Sequence, residues 1–287
     1  MIIFNIMRIA LAQIKPILGN LEKNLELHQK MFMNAVEEKA DLLVFPELSL
    51  TGYTLKDIVA DIAIQPEAHP VIRELEEWSR RLSLVAGFAE EKEKGIYTNS
   101  AAFFSHGRIK HIHRKVFLPT YGMFEEGKFF AQGKTFSPFS APWGKAGMMI
   151  CYDFLFYGAG YLLFTAGADM LIILSAAPGR GIGREAEFES SRMWELMAET
   201  ISRFSTVFVI YCNRVGVEDG KTFAGGSFVY DPWGNRLAKA PEAEENFMTV
   251  DIDLDVLGEA RKHLHYKRDN QPEILLENLR RIINSEY

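Results

Sequence analysis

The sequence is short of cysteine, of one-sided charge and of uninterrupted apolar stretches, and each shortage removes a class of protein. Only Cys151 and Cys212 occur among its 287 residues, which excludes a disulfide framework and fits a reducing compartment. The 32 Lys and Arg against 38 Asp and Glu leave a formal charge of −6. That balance carries no electrostatic footprint for nucleic acid or an anionic membrane. The longest apolar window, 161–178, contains Asp169 and several Gly and Ala, so it falls short of the ~20 apolar residues of a spanning helix. No Ser/Pro/Gly-rich linker, charge block or fixed-period repeat is visible, and the expectation is one domain over 1–262 with a polar arm or tail at 263–287. The start, Met1-Ile2-Ile3-Phe4, lacks the basic beginning and small-residue cleavage site of a secretory signal, so a cytoplasmic protein is expected, begun at Met1 or at Met7.

What is present is an ordinary folded composition, 48% hydrophobic and 12% aromatic, in which strand and helix patterns alternate. Strands are expected at 8–13, 41–45, 83–89, 97–105, 108–116, 146–150, 169–175 and 206–212. Helices fall between them, the first capped by Asn20 and others at about 67–81, 154–166 and 185–204. Late in the chain the pattern becomes a hairpin: a strand at 222–230, the turn Asp231-Pro232-Trp233-Gly234-Asn235, then strand to about 252. Alternating elements with hairpins imply an α/β layered sandwich.

Two buried runs end abruptly in a reactive side chain. Leu42-Leu43-Val44-Phe45-Pro46-Glu47 delivers a carboxylate and Gly147-Met148-Met149-Ile150-Cys151-Tyr152-Asp153 a thiol, each at the carboxyl end of a strand, where α/β sheets place ligands. Taken singly, a free Cys is most often a core residue and a Glu after Pro a loop charge. A third segment, His113 to Gly127, joins a strand-end cation, Lys115, to a turn and the pair Glu125-Glu126. Chemistry has a use for all three. A thiol with a pKa of about 8.5 needs a base or a cation to attack at neutral pH, and an ammonium can stabilise the oxyanion that follows.

Phe-Pro-Glu at 45–47 with Leu-Thr-Gly-Tyr at 50–53, His-Arg-Lys-Val-Phe-Leu-Pro at 113–119 and Ile-Cys-Tyr-Asp at 150–153 resemble, in order and spacing, the three signature segments of the nitrilase superfamily of carbon–nitrogen hydrolases. The resemblance runs over about residues 7–255. It implies a four-layer α-β-β-α sandwich pairing into a homodimer or higher homo-oligomer. It also implies Glu47 as general base, Lys115 as oxyanion stabiliser and Cys151 as nucleophile, with the Tyr152 backbone N–H completing the oxyanion hole. A second glutamate of the family matches Glu126, or its neighbour Glu125. Tyr121, Tyr152 and Arg184 are the expected substrate contacts, and neither a metal nor a cofactor is implied.

The Cys151-Tyr152-Asp153 sequence departs from the Cys-Trp-Glu of true nitrilases, which favours a small linear amide over a nitrile; N-carbamoyl compounds stay open. The Thr51-Gly52-Tyr53 loop and Leu118 to Glu126 resemble the glutaminase module of glutamine-dependent NAD synthetases. No ammonia-using synthetase segment accompanies them here, so the expectation is a free-standing amidase or one that feeds a separate partner. From a different class, Pro178 to Arg184 has the setting of a dinucleotide-binding turn and would suit a non-catalytic nucleotide-binding protein, but its sixth position is Arg184 rather than glycine. His111 and His113, and His263 and His265, lack the further ligands of a zinc site.

Overall fold

In the first strand, Ile9 and Leu11 face one way and Ala10 and Ala12 the other, yet all four are fully buried. A strand whose two faces are both apolar must lie between two layers. A computed structural model, described here for residues 5–181 and 188–285, shows what those layers are. The strands are β1 (Ile6–Gln13), β2 (Leu42–Val44), β3 (Ser83–Glu93), β4 (Ile96–Ser105), β5 (Arg108–Arg114), β6 (Phe139–Ala141), β7 (Gly144–Ile150), β8 (Met170–Ser175), β9 (Phe208–Asn213), β10 (Val215–Glu218), β11 (Lys221–Ala224), β12 (Phe228–Tyr230), β13 (Arg236–Lys239) and β14 (Asn246–Asp253). The helices are α1 (Leu21–Glu37), α2 (Val59–Ile62), α3 (Pro70–Trp78), α4 (Glu126–Phe129), α5 (Tyr157–Thr165), α6 (Glu189–Ser205), α7 (Asp255–His263) and α8 (Pro272–Asn284).

One six-stranded sheet runs β14-β1-β2-β3-β4-β5 and the other β13-β12-β9-β8-β7-β6. Each has a parallel trio at its centre, β1-β2-β3 and β7-β8-β9, flanked by antiparallel strands. Ile9, Leu11, Val44, Val85 and Phe103 of the first sheet pack with Met149, Ile172 and Ile210 of the second in one core. On the first sheet's other face, Ala10, Leu43, Leu84 and Phe104 meet Phe32 of α1 and Leu75 of α3. Leu163 of α5 and Trp194 and Ile201 of α6 join the second sheet. The result is the expected four-layer α-β-β-α sandwich.

The sequence rules for the elements hold at most positions. Asn20 caps α1 through its side chain, accepting from Lys23 N at 3.0 Å. Asp231 closes its turn by accepting from the backbone of Trp233 and Asn235, each at 2.9 Å. The expected strand over 222–230 is instead two strands, because Gly225 and Gly226 adopt φ of +68° and +65° and break the pleat. β11 pairs with β10 and β12 with β9. The continuation to 252 is likewise divided: β13 stays in the second sheet while β14 crosses to pair with β1 of the first. The stretch read as a polar arm contains α8, whose residues are all exposed except the half-buried Pro272 that begins it.

Candidate active site

Three strand ends converge, and local geometry explains how. After β2, Phe45 N donates to Val85 O at 2.9 Å and Glu47 N to Ser175 O at 3.4 Å, so the chain steps from one sheet onto the end of β8 in the other. That step runs tight against β3. A Cβ on Gly87 would fall 2.6 Å from Leu48 N and 2.9 Å from Pro46 O, so no larger residue fits unless the loop moves. Lys115 follows β5 directly, its N–H held by Asn99 O at 2.9 Å. Cys151 follows β7 and opens a 3-10 turn, Cys151–Leu155, with φ at +44°. A non-glycine residue there costs about 1–3 kcal/mol and persists only where its surroundings fix it.

Asp153 supplies much of that fixing. Its Oδ1 accepts from Val116 N and Phe117 N at 3.0 and 2.9 Å, and its Oδ2 from Ile150 N and His113 Nε2 at 3.1 and 2.9 Å. One buried carboxylate therefore ties the lysine loop to the cysteine turn. Behind the thiol, Tyr211 donates to Ser175 Oγ at 2.9 Å, and Ser175 in turn hydrogen-bonds Cys151.

Lys115 is fully buried, with its Nζ 2.7 Å from both Glu47 Oε1 and Glu126 Oε1. Asn99 Nδ2 donates to the same Glu47 oxygen at 2.7 Å, and Tyr53 OH to the same Glu126 oxygen at 2.5 Å. Both Oε1 atoms are thus occupied, while Glu47 Oε2 and Glu126 Oε2 are buried without a protein partner. Burial opposes the charge on Lys115, but Glu126 and Glu47 outweigh it and raise its pKa above the ordinary value. Burial pushes Glu126 up to about 7, Lys115 pulling it down and Glu47 raising it. Burial also pushes the Cys151 thiol up, with Glu47 adding to the effect and Lys115 and Ser175 opposing it. The resting cysteine is therefore a thiol. Its proton needs an acceptor, and two carboxylate oxygens remain open.

The pocket that reaches Cys151 is lined by Tyr121, Tyr152, Phe124, Arg180, Met193 and Trp194, among others. Lys115 joins Glu47 and Glu126, and Cys151 lies within the electrostatic reach of Glu47 and Lys115. Of the two candidate second glutamates, Glu126 reaches Lys115, whereas Glu125 is exposed and paired with Lys128. Tyr121 and Tyr152 flank the mouth with ring centroids 5.7 Å apart. Arg184 lies outside the described residues. Of the turn proposed for a nucleotide, Gly179 N and Arg180 N already donate to Thr222 O and Ser190 Oγ, each at 3.0 Å, which leaves neither free to cradle a phosphate. Among the described residues no three His, Cys, Asp or Glu side chains gather as a metal site.

Sequence reasoning placed Tyr53 and His113 in motifs without a role at the site, and passed over Asn99 and Ser175. One signal was available for Asn99: Thr98, Asn99 and Ser100 are consecutive polar residues in the middle of a strand that is otherwise apolar toward its end, and buried polar groups of that kind need partners.

Comparison with known proteins agrees with this geometry. A family model described as carbon–nitrogen hydrolase matches residues 8–262. A glutamine-dependent NAD(+) synthetase of Thermotoga maritima is 31% identical over 87% of this chain, and the match spans only 42% of that protein. A carbon–nitrogen hydrolase from Helicobacter pylori G27 superposes with a TM-score of 0.84 at 26% identity, over 96% of this chain and 99% of that one. A mutant of the amidase from Nesterenkonia sp. AN1, with acrylamide added at its active-site cysteine, superposes with a TM-score of 0.75 at 26% identity, over 90% of this chain and 98% of that one.

Proposed function

This chain belongs to the carbon–nitrogen hydrolase family, and from that premise we propose that it is an amidase cleaving small linear amides through a thioester on Cys151. One observation carries the reading. Lys115 holds two carboxylates by one oxygen each, the other oxygen of each has no partner among the described residues, and Glu47 and Lys115 both act electrostatically on Cys151. In this reading Glu47 Oε2 takes the thiol proton as sulfur attacks the carbonyl carbon, a transfer worth typically about 10²–10⁴-fold in rate. The oxyanion is met by the Lys115 ammonium and the Tyr152 N–H at the start of the 3-10 turn. Glu126 Oε2 accepts from the substrate amide N–H and orients it.

As the tetrahedral intermediate collapses, Glu47 returns the proton to the departing nitrogen and ammonia leaves. Water, deprotonated by the same Glu47, then attacks the thioester carbon; the carbon–sulfur bond breaks, the acid leaves and Glu47 returns the proton to the Cys151 sulfur. The cysteine adduct in the Nesterenkonia amidase supports the assignment of Cys151 as nucleophile by analogy.

The test is ammonia release from a panel of primary amides that includes glutamine, with N-carbamoyl compounds and nitriles beside them. Intact mass should report an acyl adduct on Cys151. Ammonia from amides that vanishes in Cys151→Ala is the expected result. Equal release by wild type and Cys151→Ala rejects the reading, and turnover confined to nitriles or N-carbamoyl compounds reassigns the substrate.

A further inference from the structure

Resting on that reading, we propose that Arg180 is an anion subsite of the pocket and that the substrate is an amide carrying a carboxylate at its far end. Arg180 is the one charged residue among the described residues lining the pocket that contains Cys151. The rest of that lining is aromatic, aliphatic or uncharged: Tyr121, Phe124, Tyr152, Met193, Trp194 and their neighbours. A neutral amide would gain nothing from a cation at such a mouth, and a cationic one would be repelled.

The arginine is also held in place. Its N–H donates to Ser190 Oγ at 3.0 Å and its carbonyl accepts from Ser190 N at 3.1 Å, while Ser190 Oγ donates to Pro178 O at 2.9 Å. On the other side Pro178 bridges to Phe223, and Gly179 N donates to Thr222 O. The backbone that presents the side chain is therefore fixed from both flanks. The guanidinium carbon lies 5.6 Å from the centroid of Phe124, whose ring in turn contacts Tyr53 and Tyr121. Tyr53 is the residue that hydrogen-bonds Glu126. One aromatic chain thus relates the cation at the mouth to the carboxylate expected to orient the amide.

No Asp or Glu among the described residues forms an ion pair with Arg180, although the chain has 38 of them. Set over a ring and exposed, and without an acidic partner among the described residues, the guanidinium offers a planar fork of donors, which binds a carboxylate in bidentate fashion. A ligand anchored there by its carboxylate would extend along the aromatic wall toward Cys151. Substrate length is then a second measure of specificity.

The experiment compares kcat/KM for monoamides of linear dicarboxylic acids of increasing length, such as succinamate, glutaramate and adipamate, with neutral amides of matching length. It is run on wild type, Arg180→Met and Arg180→Lys. Wild type should favour the acid amides by about tenfold or more, as expected for a charge-assisted contact. The preference should collapse in Arg180→Met through KM, survive in part in Arg180→Lys, and weaken with added salt. If wild type turns over neutral amides as well as acid ones, or if the preference persists in Arg180→Met, the subsite is wrong while the amidase reading stands. If no amide in the panel yields ammonia, the amidase reading falls and this inference with it.

Discussion

Cys151, just past the end of β7, and Cys212, in β9, are separated by β8 of the same sheet and share most of what a thiol can share. Both are free and buried, and burial pushes both thiols above the ordinary cysteine value. Leu174 of β8 pairs with Cys212 on one flank and with Ile150, the residue before Cys151, on the other. They differ in their neighbours. Cys212 stays within β9 of the second sheet and donates across to the first at Val44 O, 3.2 Å, and Ala12 O, 3.6 Å. Cys151 turns out of its strand in a left-handed conformation and meets the charges of Glu47 and Lys115. Burial alone makes a thiol inert, whichever of the two it is. Reactivity comes from an open carboxylate oxygen and a cation, and only one of these cysteines has them.

The largest expected effect tests that contrast directly. Cys151→Ala should lower ammonia release by at least about 10³-fold, as loss of a covalent nucleophile does. Cys212→Ala should keep kcat/KM within about twofold and instead lower the melting temperature by about 2–4 °C, the consequence of a small cavity and roughly 1 kcal/mol of lost packing. Parallel activity assays and thermal melts on the two variants decide it. Comparable loss of turnover in both would break the comparison.

A smaller effect sharpens it through pH. Glu126, pushed up to about 7 by burial despite Lys115, is a carboxylate above that pH and a carboxylic acid below it. Only the carboxylate is purely an acceptor for a substrate N–H, so kcat/KM should fall with acidification through a limb centred near about pH 7. Glu126→Gln should cost about 10–100-fold and abolish that limb. The same carboxyl has a stability signature. Its pKa is higher folded than unfolded, so its contribution is complete below about 4.5 and is lost as pH rises through about 7. Cys212→Ala should retain the wild-type limb. A limb unchanged in Glu126→Gln assigns the titration to another group.

The layers were legible because both faces of the central strands are apolar, and so were the strand ends bearing Glu47, Lys115 and Cys151, since each abruptly ends such a run. What pattern could not show is where strands go next. The break at Gly225-Gly226 depends on positive φ at two successive residues, and the passage of β14 to the first sheet depends on which edge is free. The site divides the same way. Residues that end strands announce themselves, whereas Tyr53, Asn99 and His113 act across 73, 52 and 40 positions of chain respectively. Only the three-dimensional pairing makes Asn99 a partner of Glu47 or His113 a partner of Asp153.

The smallest effect concerns the serine that stands behind the reactive thiol. Ser175, which accepts from Tyr211 at 2.9 Å, pulls the Cys151 pKa down against burial. Cys212 donates to two main-chain carbonyls and has its own serine, Ser227, pulling its pKa down against burial, so a serine hydroxyl alone does not make a thiol reactive. Ser175→Ala removes a donor to the thiolate, so less thiolate exists at any given pH. Alkylation of Cys151 by iodoacetamide should then slow about two- to fivefold at neutral pH, with its pH midpoint moved upward. Tyr211→Phe leaves the serine hydroxyl in place without its own donor, and the shift should have the same sign and be smaller. Measured in a Cys212→Ala background, so that one thiol reports, an unmoved midpoint in Ser175→Ala would make Ser175 a packing residue behind Cys151.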